Sequence, residues 1–173
     1  MKEVTENVWK EKAQNFQDRI TKNPYPKNLD HYRKIVDLVT VGSSVLDVGC
    51  GDCHLAEVLP QSVQRIFNID PFPRNEKSYK LSAEDLNYKI AKQYDTVFCL
   101  AALDNVQNVE QALRGMLHQA KKNIVILTGI DVESYPDALH THRISRKDLT
   151  DVLGEPTQEI EISPKVFLFE WIL

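Results

Sequence analysis

Val45-Leu46-Asp47-Val48-Gly49-Cys50-Gly51-Asp52 runs from a short apolar segment straight into a turn carrying two glycines and two carboxylates. The run Ser43-Ser44-Val45-Leu46 has the short, apolar, β-branched character of a parallel strand covered on both faces. Gly49 and Gly51 allow the backbone to turn sharply and approach a ligand without a Cβ in the way. The residues that follow, His54-Leu55-Ala56-Glu57-Val58-Leu59, predict a short helix whose first amides point back at the turn. Strand, glycine loop and helix in this order form a nucleotide-cofactor cradle at the carboxyl edge of a parallel sheet.

Two cofactor classes use such a cradle, and the charges separate them. A dinucleotide site wants G-x-G-x-x-G with a pyrophosphate on the helix N-terminus. Here His54 holds the third glycine position, and Asp47 and Asp52 flank the loop. Those carboxylates would repel a pyrophosphate but suit a cationic ligand that carries an amino group. The order Asp-x-Gly-x-Gly resembles the first motif of class I S-adenosylmethionine-dependent methyltransferases, whose cofactor carries a sulfonium and an ammonium. That family often adds a glycine two residues later, where this chain has Cys53. On this motif alone, a dinucleotide site and a plain structural turn remain the alternatives.

With 173 residues the chain predicts a single domain, a helical segment over 1–42 leading a cofactor-binding core over 43–173. A hydrophobic content of 42% beside 27% charged residues is that of a globular protein rather than a disordered one. The net charge of −4 and the lack of a dense Lys/Arg run argue against nucleic acid as the main partner. Met1 to Glu6 contains no apolar core of a signal peptide, and no long apolar run predicts a membrane span. Three cysteines, an odd number, fit a reducing cytoplasm, which is the expected location. Cys50 and Cys53 form a C-x-x-C, but no second Cys or His pair matches it. The pair therefore reads as two small residues packed around the glycine turn.

Outward from the loop the pattern alternates. Val8, Trp9, Ala13 and Phe16 share a helical stripe, Asn23 to Pro26 break it, and Leu29 to Val39 restart a helical period that ends at Gly42. Gln64 to Asp70 reads as a second strand ending in a carboxylate, and Lys77 to Ser82 as a third. Only Pro71 to Glu76 separates them, too little for a crossover helix. Two prolines in six residues predict an extended strap instead, leaving one patch of the sheet thinly covered. Tyr94 to Leu100 and Asn123 to Leu127 are further strands, with a helix from Val106 to Ala120 between them. Ile130 to Ile144 is irregular and polar, and Ser145 caps a helix through Leu153. Glu159 to Pro164 and Val166 to Trp171 are joined tightly enough to pair antiparallel. The sum is an α/β fold, a doubly wound, mostly parallel sheet of about seven strands with a C-terminal antiparallel strand.

The methyltransferase resemblance extends to these segments and implies a Rossmann-like fold that binds S-adenosylmethionine. Asp70 takes the place of the carboxylate that accepts two ribose hydroxyls. Ser82-Ala83-Glu84-Asp85-Leu86 is similar to the family's adenine-contacting loop, where a backbone amide meets the ring and an acidic side chain accepts from the exocyclic amine; helix capping is the competing role for Glu84 and Asp85. Leu100 and Ala101 open the segment where the cofactor's methionine part and the acceptor meet. The implied cofactor set is Asp47, Gly49, Cys50, Gly51, Asp70, Ala83, Glu84, Asp85, Leu100 and Ala101. Asp95 matches a strand-start aspartate of structural role. The segment after Leu100 lacks the Asn/Asp-Pro-Pro-Tyr of amide and adenine methyltransferases. The C-terminal pair resembles the family's reversed last strand, whereas dinucleotide folds end in a parallel one.

Methyl transfer from a sulfonium is an in-line displacement, so alignment and exclusion of water do most of the work. A base is needed only for a hydroxyl or a protonated amine. Asp104, His140 and His142 are the candidates, because their loops follow strand ends at the carboxyl edge. No third metal ligand accompanies His140 and His142, so no metal is expected. The expected partner is a small-molecule acceptor, with no membrane involved. The alternative is a cofactor-binding but catalytically silent partner protein, with the thin sheet face as a docking site for another chain or a second copy.

Overall fold

The computed structural model describes residues 4–22, 27–132 and 141–173. Seven strands form one sheet: β1 (Ser44–Val48), β2 (Arg65–Asp70), β3 (Ser78–Lys80), β4 (Tyr94–Leu100), β5 (Ala120–Gly129), β6 (Gln158–Ser163) and β7 (Val166–Ile172). Their order is β3-β2-β1-β4-β5-β7-β6, parallel except for β7, which runs antiparallel to both β5 and β6. The doubly wound, mostly parallel seven-strand sheet expected from the sequence is present. Its strand order reverses between β1 and β4, the switch point where open α/β sheets place ligands.

β1 sits at that switch point because every one of its residues is buried. Alternation splits its side chains between two cores. Leu46 and Val48 join Val97, Ile124 and Ile126 under α3 (Leu86–Lys89), α4 (Val109–Gln119) and α5 (Arg146–Leu153). Val45 joins Phe98, Val125 and Leu168 under α2 (Leu29–Leu38), which supplies Ile35 and Val36. Each fully buried aliphatic side chain contributes about 1.5–3 kcal/mol. Among the described residues no helix is long and apolar enough to cross a membrane.

The strap forms as expected: Pro71 to Lys77 contain bends and a turn but no helix. Register explains how so short a link joins parallel neighbours. Ser78 pairs with Asn68, two residues behind the end of β2. The chain therefore retreats only about 7 Å along the strand and about 5 Å sideways, well within the reach of seven residues. The third strand shrinks accordingly, from the predicted Lys77–Ser82 to Ser78–Lys80. Cover at this edge is thin: Tyr79 is 60% exposed and stacks on Phe67 with ring centroids 4.4 Å apart.

Three other boundaries move. The helix expected over His54–Leu59 is a single 3-10 turn, His54–Glu57, started by Cys53 in the left-handed region (φ 59°). Pro60 follows too soon for a full helix to propagate. The α4 helix starts at Val109 rather than Val106, because the Asn108 side chain caps it by accepting from the Gln111 amide at 3.0 Å. α2 ends at Leu38, ahead of Gly42. Gly42 instead admits the side chain of Asp95, since a Cβ there would lie 2.3 Å from the Asp95 Cβ. Asp95 has the structural role expected of it, accepting from the Ser43 amide (2.9 Å) and hydroxyl (2.7 Å). Ser145 caps α5 in a full capping box with Asp148.

Candidate functional site

Beyond the carboxyl ends of β1, β2 and β4 lies a cavity of about 370 Å³. Its floor is the loop Gly49 to Asp52, with Asp70 at one side and Leu100 to Ala102 at the other. Trp9 and Phe16 of α1 (Glu6–Lys22), together with Phe72 of the strap, provide aromatic cover. His31 and Tyr32 of α2, with His54, close the remaining side.

The floor is held by backbone bonds that only this turn allows. The Gly49 and Cys50 amides both donate to the Ile69 carbonyl, at 2.9 and 3.0 Å. Gly49 has φ 72°, and a Cβ on it would meet the Ala102 Cβ at 2.4 Å. The Gly51 amide donates to Asp70 Oδ2 at 3.0 Å, and the Phe72 amide donates to Oδ1 at 2.8 Å. Each Asp70 oxygen thus holds one backbone donor and keeps acceptor capacity for a second. Burial raises the Asp70 pKa, against the lowering effect of the two amides and of Arg74. Asp47, only 3% exposed, is pushed up to about 7 by burial and then by the neighbouring Asp70 carboxylate. It lies beneath the floor and does not line the cavity.

The strap is fastened to the glycine loop by polar contacts. Asn75 Nδ2 donates to the Asp52 carbonyl at 3.1 Å, and Arg74 Nε lies 3.1 Å from Asp52 Oδ1. A Cβ on Gly51 would meet Arg74 Nη2 at 2.5 Å, so the guanidinium rests on the loop itself. Arg74 lines the cavity between two carboxylates, and sequence reasoning missed it. Its only sequence signal is a cation four residues past the strand-end carboxylate.

α1 is fixed to the carboxyl edge at its N-terminal end. Trp9 Nε1 donates to the Asn105 carbonyl at 2.9 Å, and the Val4 amide donates to the Gln107 carbonyl at 3.2 Å. The Trp9 ring meets Phe72 with centroids 5.5 Å apart. Tyr32 contacts His31 and His54 edge-on, each pair with centroids 6.1 Å apart. Burial, followed by the charges of Asp47 and Asp52, raises the Tyr32 pKa, which keeps its phenol neutral. His54 Nδ1 lies 3.4 Å from Glu57 Oε1, and Lys27 Nζ binds Glu57 Oε2 at 2.6 Å. His31 and Tyr32 are cavity residues the sequence reading did not single out.

Of the expected cofactor residues, Gly49, Cys50, Gly51, Asp70, Leu100 and Ala101 come together at the cavity. Ala83, Glu84 and Asp85 are not brought to it. Glu84 is buried, and its Oε1 accepts from the Gln107 (2.6 Å) and Asn108 (3.0 Å) amides, so it braces the entry to α4. Asp85 pairs with Lys89 at 2.6 Å, and Ala83 is packed in the core. Of the expected catalytic residues, Asp104 and His142 also stay off the lining, which takes their neighbours Asn105 and Thr141 instead. The His142 side chain is buried with Nε2 3.0 Å from the Val106 carbonyl, a bond that ties two loops together. His140 lies outside the described residues. Among those residues no group of three or more His, Cys, Asp or Glu side chains converges on a metal site.

The sequence model of a family described as "Methyltransferase domain" matches residues 9–150. Among curated proteins the chain is 30% identical over 114 residues to a ubiquinone biosynthesis O-methyltransferase of Rickettsia bellii, covering 58% of this chain and 45% of that protein. A protein of the same name from Rickettsia canadensis is 30% identical over 118 residues, covering 61% and 48%. The chain therefore spans about half the length of the curated relatives it matches. The fold agrees with an S-adenosylmethionine-dependent methyltransferase from Aquifex aeolicus at TM-score 0.64 and 17% identity, covering 90% of this chain and 97% of that one. It also agrees with magnesium protoporphyrin IX methyltransferase from Synechocystis PCC 6803, solved with S-adenosylmethionine bound, at TM-score 0.59 and 15% identity over 99% and 86% of the two chains.

Proposed function

The chain belongs to the class I S-adenosylmethionine-dependent methyltransferase family, and from that premise we propose that it transfers a methyl group from S-adenosylmethionine to a small-molecule acceptor. The observation that carries this reading is Asp70. Its carboxylate stands at the edge of the cavity with both oxygens oriented by backbone amides. Two acceptor oxygens fixed in this way fit a pair of vicinal ribose hydroxyls, beside a loop whose glycines leave room for the rest of the nucleoside. The acidic residues around that loop suit a ligand with two cationic groups and would repel a pyrophosphate.

When bound, the cofactor supplies an electrophilic methyl group, and the chain's own residues have three tasks. Asp70, Gly49 and Gly51 would hold the nucleoside, with Leu100 and Ala101 at the methionine part. Asp47, ionised by a cation above it, would favour the sulfonium end. Trp9, Phe16 and Phe72 would exclude water and offer ring faces to positive charge, worth about 0.5–2 kcal/mol. His31 and His54 line the cavity as the described groups placed to take a proton where the acceptor requires it, and alignment is the main catalytic device of this reading.

The test has two stages. Calorimetry with S-adenosylmethionine and S-adenosylhomocysteine should show binding of both, and a response to NAD alone would overturn the assignment. Turnover over a panel of phenols, amines and thiols then separates an enzyme from a cofactor-binding partner protein. A protein partner or second copy, if there is one, would seat at the β3 edge, where Tyr79 is exposed. Sedimentation with and without cofactor reads that out.

A further inference from the structure

Cys50 and Cys53 are closer to reaction than their spacing suggested. Their Sγ atoms lie 3.2 Å apart. The Cys53 amide donates to the Cys50 carbonyl at 2.8 Å. That bond closes a turn, which holds its two end Cα atoms within about 7 Å. A disulfide spans Cα separations of about 4.4–6.8 Å, so the loop already has the span a bridge requires. Among the described residues no third metal-binding side chain joins the pair.

Both sulfurs also fasten the strap. Cys50 Sγ donates to Ser78 Oγ at 3.2 Å, and Cys53 Sγ reaches Asn75 Oδ1 at 3.6 Å. Ser78 opens β3, and Asn75 is the residue whose amide holds the Asp52 carbonyl. Burial raises the pKa of both thiols, so the S–H donors persist at neutral pH. A disulfide has no S–H. Forming one removes both donations to the strap in a single step.

We propose that Cys50 and Cys53 form a reversible disulfide whose closure loosens the 71–77 strap on the glycine loop, where the Asn75–Asp52 and Arg74–Asp52 contacts remain, and weakens cofactor binding. Hydrogen peroxide, small and neutral, can reach Cys50 through the cavity that residue lines. One thiol first loses its proton to water, a step that the raised pKa of both groups slows; its thiolate sulfur then takes an oxygen as the O–O bond breaks, and the hydroxide released takes up that proton, giving a sulfenic acid and one water. The second sulfur attacks the first, the S–S bond forms and the S–O bond breaks. Hydroxide leaves with the second thiol's proton as another water. The sulfur pair loses two electrons and the peroxide gains them. The bridge draws the sulfurs from 3.2 Å to about 2.05 Å.

The test uses the full chain, treated with hydrogen peroxide and then with dithiothreitol, beside Cys53→Ser and the control Cys99→Ala. Cys99 is buried in β4 and takes no part in the pair. Intact mass should fall by two hydrogen atoms in wild type and Cys99→Ala but not in Cys53→Ser. Hydrogen exchange over residues 71–77 should rise in the same two proteins and return on reduction. Only the affinity readout rests on the proposed cofactor: S-adenosylhomocysteine should bind about tenfold more weakly to the oxidised form, the loss of two modest hydrogen bonds. If neither form binds S-adenosylhomocysteine, the cofactor assignment fails, while mass and exchange still judge the switch. No change in mass, or a bridge that leaves exchange over 71–77 unaltered, overturns the proposal.

Discussion

Asp47→Asn should flatten the fall of this protein's stability with rising pH, leaving the part that the raised pKa of Asp70 supplies. The Asp47 carboxyl is 3% exposed, and burial with the nearby Asp70 charge moves it from 3.8 to about 7. Between those two values the folded protein keeps a proton that the unfolded chain has released. Folding is therefore favoured most at the acid end of the window, and stability falls as pH rises through about 7. The full displacement corresponds to about 4 kcal/mol between the two protonation states. Local relaxation and water entry reduce such penalties, so a loss of about 2 kcal/mol is expected on going from pH 5 to pH 8. Urea denaturation followed by tryptophan fluorescence at a series of pH values measures it. The substitution shifts the whole curve by a constant, because an amide replaces a carboxyl in a buried place. Only the slope bears on the argument, and the difference between the two curves reports Asp47 together with its coupling to Asp70. If the variant shows the same fall in stability as the wild type, Asp47 is not the group that titrates and the account of its burial is wrong.

Asp70→Ala should weaken S-adenosylhomocysteine binding by about 1–3 kcal/mol, the range for hydrogen bonds to a charged group; an unchanged dissociation constant in calorimetry would remove Asp70 from the ribose role. Gly49→Ala should lower stability by about 1–3 kcal/mol, since its Cβ would meet that of Ala102 at 2.4 Å. Adding Ala102→Gly should recover only the steric part in thermal melts, and no recovery would put the whole cost in the backbone. His142→Ala should cost about 1 kcal/mol of stability by removing its bond to the Val106 carbonyl, which keeps the Thr141 hydroxyl as donor at 2.8 Å, with cofactor affinity unchanged; normal stability with lost turnover would return His142 to the catalytic list. Hydrogen exchange across α1 should slow when S-adenosylhomocysteine is bound, and equal protection in both states would leave Trp9 and Phe16 as permanent packing.

Local signals carried the fold because its decisive pieces are local. An all-buried β1 ending in two glycines, the β-prone Tyr94–Leu100 and the tight link before Val166 each announce themselves within ten residues. The strap was legible for the same reason, through Pro71 and Pro73. The shortened turn after the glycine loop was not, because apolar spacing at Leu55, Val58 and Leu59 suits a helix and Pro60 limits its length rather than its type. The candidate site was half legible. Gly49, Gly51 and Asp70 belong to contiguous motifs. Glu84 looked like a ligand residue because its position in the chain matches one. What uses its carboxylate is a pair of amides, Gln107 and Asn108, more than twenty residues away. Arg74 and Tyr32 show the converse. Their ion-pair and electrostatic partners lie some twenty residues away in sequence: the fold sets Arg74 against Asp52 and brings both within electrostatic reach of the glycine loop. A side chain's partner across the sheet edge is fixed by strand order, and strand order emerges only when every crossover has been placed. Residues that recognise a ligand from several strands at once are therefore the last part of such a site that a one-dimensional pattern reveals, and they are the ones that substitution at Arg74 and Tyr32 should examine first.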